Sequence, residues 1–263
     1  MRKAAVLFVA GILMLPVYFM VIGSFQEEVG LAKMPPNLLP RGSTVQNYEI
    51  LFRGGIGQWF GNTVGIAGLV MILATFLVMT SGYALMRPFR GSGSCTWLIL
   101  LCAVMPASVL LIPRFVLLRI VGLQAARVSA VFPLLVNPVA ILAARTWFRQ
   151  LPAAFYEEAR LNGMGEWQIL WTILFPLAKP IIAVTALFQG MAALGDYLWQ
   201  SIILREERTM TLLVGTIWRS TSAYIDWVPN PLGLQQAAAV IAAAPMVLIF
   251  LFAARWFVQM RIA

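Results

Sequence analysis

The fold is decided by residues 151–180, LPAAFYEEARLNGMGEWQILWTILFPLAKP, a stretch that separates two long apolar segments. Pro152 suits the first turn of a helix, and Gly163 suits a left-handed helix stop. Beyond that turn, four apolar side chains recur at the spacing of one helix face up to Pro176. They are Trp167, Leu170, Trp171 and Leu174. The stretch therefore predicts a first helix over residues 153–162, a turn, and a second helix with an apolar stripe.

Six apolar segments flank this stretch, and only Asp196 places a charge inside one of them. Hydrophobic residues make up 61% of the chain and charged residues 11%, which excludes a soluble fold. The segments cover residues 4–26, 54–86, 91–113, 128–144, 180–204 and 227–254. About 20 helical residues cross a hydrocarbon core of roughly 30 Å. The six segments therefore predict an all-α polytopic membrane protein with six transmembrane helices. The fourth segment is short, and Arg127 and Arg145 can extend it by reaching to the two interfaces.

The composition also excludes several kinds of chemistry. The chain has no histidine and two cysteines, Cys95 and Cys102, which form no CxxC pair, so an imidazole triad or an ordinary zinc site is not expected. Its net charge is +9, but no Lys/Arg-rich tract of the kind used on nucleic acid is present. None of Lys3, Lys33 and Lys179 follows a glycine, so no phosphate-binding P-loop is predicted. We therefore expect no enzymatic activity, no metal and no cofactor in this chain.

Two features of the apolar segments allow more than one interpretation. Arg2 and Lys3 before the first segment are typical of a secretory signal, but the long apolar run and the lack of an A-x-A site favour a retained anchor. Gly61 and Gly65 form a GxxxG pattern, which either admits a neighbouring helix at close range or is merely tolerated.

The charges at the chain ends favour one orientation in the membrane. An even number of spans places both termini on one side, and the terminal basic residues favour the cytoplasm. These residues are Arg2, Lys3, Arg255 and Arg261. The loops favour neither orientation clearly, because nine basic residues then fall on the outer side: Lys33, Arg41, Arg53, Arg114, Arg119, Arg127, Arg205, Arg208 and Arg219.

Residues 151–180 resemble the EAA loop of permease subunits in bacterial ABC importers, whose pattern is roughly Glu-Ala-Ala, two residues, Asp-Gly-Ala and a Pro-rich close. The matching positions are Glu157, Ala159, Gly163, Pro176 and Pro180. Three positions depart from the pattern: Glu158 replaces the first alanine, Asn162 the aspartate and Met164 the alanine after glycine. Asn162 keeps the capping geometry but carries no charge.

Landmarks elsewhere extend the resemblance to the maltose-type, carbohydrate-importing branch. They are Asn47-Tyr48, Leu51-Phe52, Asn62-Thr63, Ile112-Pro113, Gly122-Leu123, residues 188–199 and Thr211-Leu212. The chain departs from that branch where Leu194 and Gly195 precede Asp196, and in its short C-terminal tail, residues 258–263. The resemblance covers nearly the whole chain and implies a single permease domain over residues 1–263, with residues 151–180 as its coupling loop.

The resemblance implies the function and the partners. The chain would be one permease of an ABC importer in the bacterial cytoplasmic membrane, paired with a homologous second permease. Two ATPase subunits would bind ATP and Mg, and an extracytoplasmic binding protein would deliver a sugar or sugar-like solute. The coupling loop would lie in the cytoplasm against an ATPase subunit. Its implied contact residues are Glu157, Glu158, Ala159, Asn162, Gly163, Met164 and Trp167.

Alternatives to these assignments remain at the sequence level. The second helix of the loop is also consistent with an interfacial helix that lies on lipid. A self-contained channel or ion-driven carrier is the alternative function, although it would be expected to show several intramembrane charges or inverted repeats.

Asp196 is the candidate centre of a solute path, because a carboxylate inside an apolar span costs at least about 2.5 to 3.5 kcal/mol and needs a partner or a cavity. The polar and aromatic candidates for the path are Gln189, Asp196, Tyr197, Trp199 and Gln200. Alternatively, Asp196 lies near the outer end of the span and pairs with an arginine. The outer arginines Arg114, Arg119 and Arg127 either bind lipid headgroups, dock a partner or attract an anionic solute.

Overall fold

The computed structural model describes residues 2–26, 43–123, 127–222 and 231–260. In this part of the chain the secondary structure is helical, apart from one bridge between Gln26 and Ser43. The helices are α1 Arg2–Ser24, α2 Gln46–Phe52, α3 Ile56–Met86, α4 Ser92–Val104, α5 Leu111–Ile120, α6 Val128–Leu134, α7 Pro138–Arg149, α8 Ala154–Leu161, α9 Glu166–Leu177, α10 Lys179–Gly195, α11 Tyr197–Ile203, α12 Leu212–Ser222 and α13 Pro231–Met260. The predicted all-α class is confirmed.

Three described helical stretches are long and apolar enough to cross a membrane without a break: Val6–Ser24, Ile56–Met86 and Leu232–Leu251. Two further candidates are bent pairs, in which α6 meets α7 at 49° and α9 meets α10 at 84°. Ser92–Val104 is apolar but shorter. The predicted sixth segment begins at Trp227, which lies outside the described residues, as do Lys33, Arg41 and the last three residues of the C-terminal tail.

The breaks have local causes in the sequence. Pro138 opens α7, and Asn137 caps it by accepting a hydrogen bond from the Ala140 amide at 3.1 Å. The fourth predicted segment is therefore two helices, of which the second continues to Arg149. The fifth predicted segment is also divided into two helices: α10 ends at Gly195, and α11 begins at Tyr197.

The described residues form two compact units, one from Met1–Thr63 and Gln200–Ala263 and the other from Val64–Trp199. In the first unit, α1, α2 and α12 each pack on α13. The buried side chains of Leu51 in α2 and Leu234 in α13 form a core cluster there. Gly23 lets α1 approach α13 closely, since a Cβ there would overlap the Gln236 side chain.

The first unit also fixes the charged loop before α12. The Trp59 indole donates to the Glu207 carbonyl at 2.8 Å, and Asn62 donates to the carbonyls of Arg208 and Met210 at 3.0 and 2.8 Å. Each bond goes to the loop backbone, so the charged side chains of residues 205–208 remain exposed.

The second unit has a core that joins α3 and α7 to residues 151–180. Helices α3 and α7 approach closely at Gly82, where a Cβ would lie 2.7 Å from the Ala144 Cβ and 2.9 Å from the Arg145 amide nitrogen. The core residues are Val78, Met79, Tyr83, Leu85, Ile141, Ala144, Phe148, Tyr156, Ala159, Ile169, Leu170, Leu174 and Ala178. Helices α8 and α9 are thus packed on α3 and α7 through apolar contacts.

Candidate coupling segment and solute path

The turn after α8 is closed by backbone hydrogen bonds. Gly163 has φ 76°, a conformation that glycine adopts without the strain of a Cβ. Its amide donates to the Arg160 carbonyl at 2.9 Å, and the Met164 amide donates to the Ala159 carbonyl at 3.0 Å. These two bonds are those of a Schellman motif, which satisfies the last carbonyls of the helix. Residues 151–180, which we call the coupling segment, therefore hold a fixed turn between α8 and α9.

Helix α8 has one buried and one exposed face. Tyr156 and Ala159 are buried, and the Tyr156 hydroxyl donates to the Phe148 carbonyl at 3.0 Å. Burial raises the pKa of Tyr156, so its hydroxyl stays a donor at neutral pH. Glu157, Glu158 and Leu161 are exposed, and Leu161 is 87% exposed. The outer face thus presents two carboxylates beside an unpartnered leucine side chain.

Asn162 and Met164, which depart from the EAA pattern, both contribute to the turn. The Asn162 side-chain amide donates to the Glu158 carbonyl at 2.9 Å, one turn earlier in α8. Met164 is half-buried and packs on the core of the second unit. The turn therefore forms without the acidic side chain of the usual pattern.

The predicted apolar stripe on the second helix is divided between the core and the surface. Residues Ile169–Leu174 form a π-helix, and Ile169 and Leu174, five positions apart, are both fully buried. Leu170 is buried as well, whereas Trp167, which precedes the π-helix, and Trp171 are 64% and 47% exposed. Pro176 does not end the helix, which continues to Leu177 before the 84° bend.

A charged cluster that the sequence analysis missed joins the coupling segment to α3. Glu166 Oε2 accepts from the Tyr83 hydroxyl at 2.5 Å and lies 3.3 Å from Arg87 Nη2, while Oε1 accepts from Arg160 Nη2 at 2.7 Å. Arg87 Nη2 also donates to the Tyr83 hydroxyl at 2.9 Å. A cavity of about 620 Å³ opens beside the cluster and is bordered by Trp167. The position of Arg87, just beyond the last turn of an apolar helix, was the available sequence signal.

The cluster favours the charged form of Glu166. Partial burial of the carboxylate opposes ionisation, but the hydrogen bonds from Tyr83 and Arg160 and the charge of Arg87 outweigh it. Together they hold the pKa of Glu166 below its ordinary value of 4.5. The carboxylate is therefore ionised throughout the physiological pH range.

The solute-path candidates are mostly engaged within the chain. Gln189 is buried and accepts from the Asn137 side-chain amide at 2.8 Å, while its own Nε2 has no hydrogen-bond partner among the described residues. Asp196 Oδ1 accepts from the Trp199 amide at 3.3 Å, which caps α11. The Trp199 indole donates to the Ser129 carbonyl at 2.9 Å. Asp196 and Tyr197 are the least enclosed members of this group.

Gln200 belongs to the other compact unit, where its Oε1 accepts from the Thr211 hydroxyl at 2.6 Å. The salt bridges of the described residues are those of Glu166, so Arg114 forms none with Asp196. Arg114 lines a largely apolar cavity of about 500 Å³ with Phe132 and Val136. The structure thus brings Gln189 next to Asn137 and Asp196 next to Trp199.

The helical fold and the apolar helices define a class, that of polytopic membrane proteins. The particular family follows from sequence. The family described as binding-protein-dependent transport system inner membrane component matches residues 77–261, and the chain belongs to it. It is a permease of the ABC transporter type, as its relatives are.

Three relatives illustrate the family. The arabinooligosaccharides transport system permease protein AraQ of Halalkalibacterium halodurans is 28% identical over 95% of this chain and 90% of its own length. The maltodextrin transport system permease protein MdxG of Bacillus subtilis is 30% identical over 77% of this chain and 72% of its own. The sn-glycerol-3-phosphate transport system permease protein UgpE of Brucella abortus is 23% identical over 93% of this chain and 89% of its own length.

Solved structures share the fold. A crystal structure of a bacterial ABC transporter involved in the import of the acidic polysaccharide alginate matches with a TM-score of 0.81 and 21% identity, over 97% of this chain and 95% of that one. A bacterial alginate ABC transporter in complex with an alginate pentasaccharide-bound periplasmic protein matches with a TM-score of 0.63 and 16% identity, over 95% and 93%. The chain therefore shares its fold with these bacterial ABC transporter chains.

Proposed function

We propose that this chain is one of two homologous permease subunits of an ATP-driven importer in the bacterial cytoplasmic membrane. Residues 1–263 would form a single permease domain with six spans and both termini in the cytoplasm. Two partner ATPase subunits would bind ATP and Mg and hydrolyse the nucleotide. An extracytoplasmic binding protein would deliver the solute to the path between the permeases.

The proposed solute is a sugar or sugar-like molecule. The family relatives named for arabinooligosaccharides and maltodextrin support this class, and the relative named for sn-glycerol-3-phosphate extends it to an anionic polyol. The candidate path residues Gln189, Asp196, Tyr197, Trp199 and Gln200 combine amide, carboxylate and aromatic groups, which suit hydroxylated ligands. Arg114, with its cavity, is the candidate for an interaction with an acidic solute.

The observation that carries the proposal is the exposed face of α8. Glu157, Glu158 and Leu161 project from a short helix whose turn is fixed by the Schellman bonds of Gly163 and whose other face is buried. A protruding surface with an apolar centre and two carboxylates is suited to bind in a groove of an ATPase subunit, where the groove is lined by basic residues. Glu157, Glu158, Ala159, Asn162, Gly163, Met164 and Trp167 are the proposed coupling residues.

The bend at Ala178 supplies the mechanical step. Helix α9 meets α10 at 84°, so a displacement of α8 and α9 by closing ATPase subunits would rotate α10. Rotation of α10 and the helices packed on it would then switch the solute path between inward and outward access. The protein's own residues thus transmit motion, while the chemistry takes place in the partners.

Two substitutions test the coupling role. Glu157→Lys reverses a charge on the exposed face, and Gly163→Pro removes the amide hydrogen of the turn and is incompatible with φ 76°. We expect the reconstituted complex to lose solute uptake by about tenfold or more while basal ATP hydrolysis and membrane insertion persist. Glu49→Lys, an equal charge change at an exposed position of α2, is the control.

Uptake at the wild-type level in both variants, with an unaffected control, would contradict the proposal. Uptake by vesicles that contain this chain without ATPase subunits would instead support a self-contained channel or carrier.

A further inference from the structure

We propose that Tyr83, Arg87, Arg160 and Glu166 form a clasp that positions the coupling segment against the end of α3. The inference rests on the proposed function and adds a second route to it. Motion of α8 would reach α10 through the chain and α3 through the clasp. The four residues would act as positioning residues, since none of them is proposed to touch the solute or the nucleotide.

The contacts of Glu166 carry the inference. One carboxylate bonds Tyr83 and Arg87 near the end of α3 through Oε2, and Arg160 in α8 through Oε1. The two groups of partners come from chain segments more than 70 positions apart, yet they meet at a single side chain. Loss of that carboxylate would therefore remove the polar link between the end of α3 and the turn between α8 and α9, and leave only the apolar contacts of the core to hold them together.

Arg87 is held on several sides at once. Its guanidinium lies 5.4 Å from the ring centres of both Tyr83 and Tyr156, and it donates to the Tyr83 hydroxyl at 2.9 Å. Tyr156 belongs to the buried face of α8, so the cation spans the gap between α3 and α8 through a ring contact as well. These contacts fix its orientation beyond what an ordinary surface pair would.

The two arginines of the clasp differ in how much of their side chain is exposed. The Arg87 side chain is 19% exposed, whereas the Arg160 side chain is 54% exposed. Water and ions screen the Arg160 pair, which is consequently expected to contribute little. Glu166 is 52% exposed and common to both pairs, so the less exposed Arg87, which also donates to Tyr83, should carry more of the positioning effect than Arg160.

The three carboxylates of the coupling segment have different surroundings. Glu157 and Glu158 face outward, while Glu166 is committed to partners within the chain. A substitution at Glu157 would therefore disturb a contact with the ATPase subunit, and one at Glu166 would loosen the segment against α3. Substitutions at Glu166 and at Glu157 therefore test the clasp and the proposed docking surface independently.

The test uses the full complex of two permeases, two ATPase subunits and binding protein in vesicles. Arg87→Gln and Glu166→Gln should each lower the solute taken up per ATP hydrolysed by about fivefold. In the double variant, the solute taken up per ATP hydrolysed should be no lower than in either single variant, because the two residues form one contact. Arg87→Lys, which keeps the charge, should recover part of the loss. Arg90→Gln removes an exposed guanidinium three positions away and is the matched control.

Hydrogen exchange of the same complexes supplies a readout that does not depend on transport. Amides of residues 158–164 should exchange faster in Glu166→Gln than in the wild type, whereas those in the middle of α10 should not change. Unchanged exchange in α8 would overturn the clasp, as would a wild-type transport ratio in both Gln variants. If Glu157→Lys uncouples transport while the clasp variants do not, only this inference fails. If Glu157→Lys and Gly163→Pro are also without effect, the proposed function fails.

Discussion

Glu166 uses both of its carboxylate oxygens within the chain, whereas the neighbouring Glu157 and Glu158 are exposed. The difference arises from position and not from residue type. The turn at Gly163 redirects the chain so that Glu166 opens α9 beside the end of α3, where Tyr83 and Arg87 are available. The same amino acid thus holds a segment in place at one position and presents a charge at two others.

The lowered pKa of Glu166 predicts the acid sensitivity of this contact. A carboxyl group with a folded-state pKa below its unfolded value stabilises the fold fully above the unfolded value, here 4.5, and loses that contribution as the pH falls through the folded pKa. We therefore expect the purified complex to unfold at a higher temperature than Glu166→Gln above about pH 5. The difference should shrink as the pH is lowered below about 4.5. A difference in unfolding temperature that stays constant from pH 7 to pH 3 would disprove this role for the carboxylate.

At the scale of elements, breaks in apolar helices determine the geometry of the coupling segment and its neighbours. Asn137 and Pro138 divide the fourth apolar segment, and Ala178 turns α9 away from α10. Backbone groups released by such breaks are tolerated at membrane depth when protein groups satisfy them. Asn137 does so with Ala140 and also reaches Gln189, so this break lies next to one of the solute-path candidates.

Close packing of α3 on α7 depends on Gly82. Gly82→Ala places a methyl group 2.7 Å from the Ala144 Cβ and 2.9 Å from backbone, so one helix must move. We expect a loss of about 1 to 3 kcal/mol in the free energy of unfolding. Gly68→Ala in the same helix meets nothing within 4 Å and should be neutral or stabilising by up to about 1 kcal/mol. Equal effects of the two substitutions on thermal unfolding would contradict the packing argument.

At the scale of the whole molecule, the described chain divides within α3 and within α11 into two compact units. Residues Gln189, Asp196, Tyr197 and Trp199 belong to one unit and Gln200 to the other. The coupling segment and all four clasp residues lie in the Val64–Trp199 unit. The proposed transmission from α8 to α3 is therefore internal to one compact body.

The proposed topology can be tested by labelling intact cells with a membrane-impermeant maleimide. Cys95 and Cys102 are first replaced by alanine, and Glu158→Cys and Glu207→Cys are then made separately at exposed positions. We expect labelling of the Glu207→Cys variant in intact cells and of the Glu158→Cys variant only after permeabilisation. The reverse pattern would place the coupling segment outside the cell and remove its access to ATPase subunits.

Much of the fold follows from residue patterns alone. Long runs without charge predict helices because an unpaired backbone is intolerable in lipid, and that argument does not depend on the neighbours of a segment. The helix before Gly163 and the left-handed turn are similarly local, since only glycine adopts that conformation without strain. The sequence by itself therefore determined the helical class, the apolar segments and the turn on which the coupling proposal depends.

The tertiary structure decided which side chains meet. Ile169 and Leu174 are both in the core because Ile169–Leu174 is a π-helix, a change of spacing that a 3.6-residue pattern does not contain. The link between Arg87 and Glu166 joins segments far apart in sequence, and it exists because α8 and α9 pack on α3. Periodicity describes one helix at a time, whereas contacts between helices depend on the packing of all of them together.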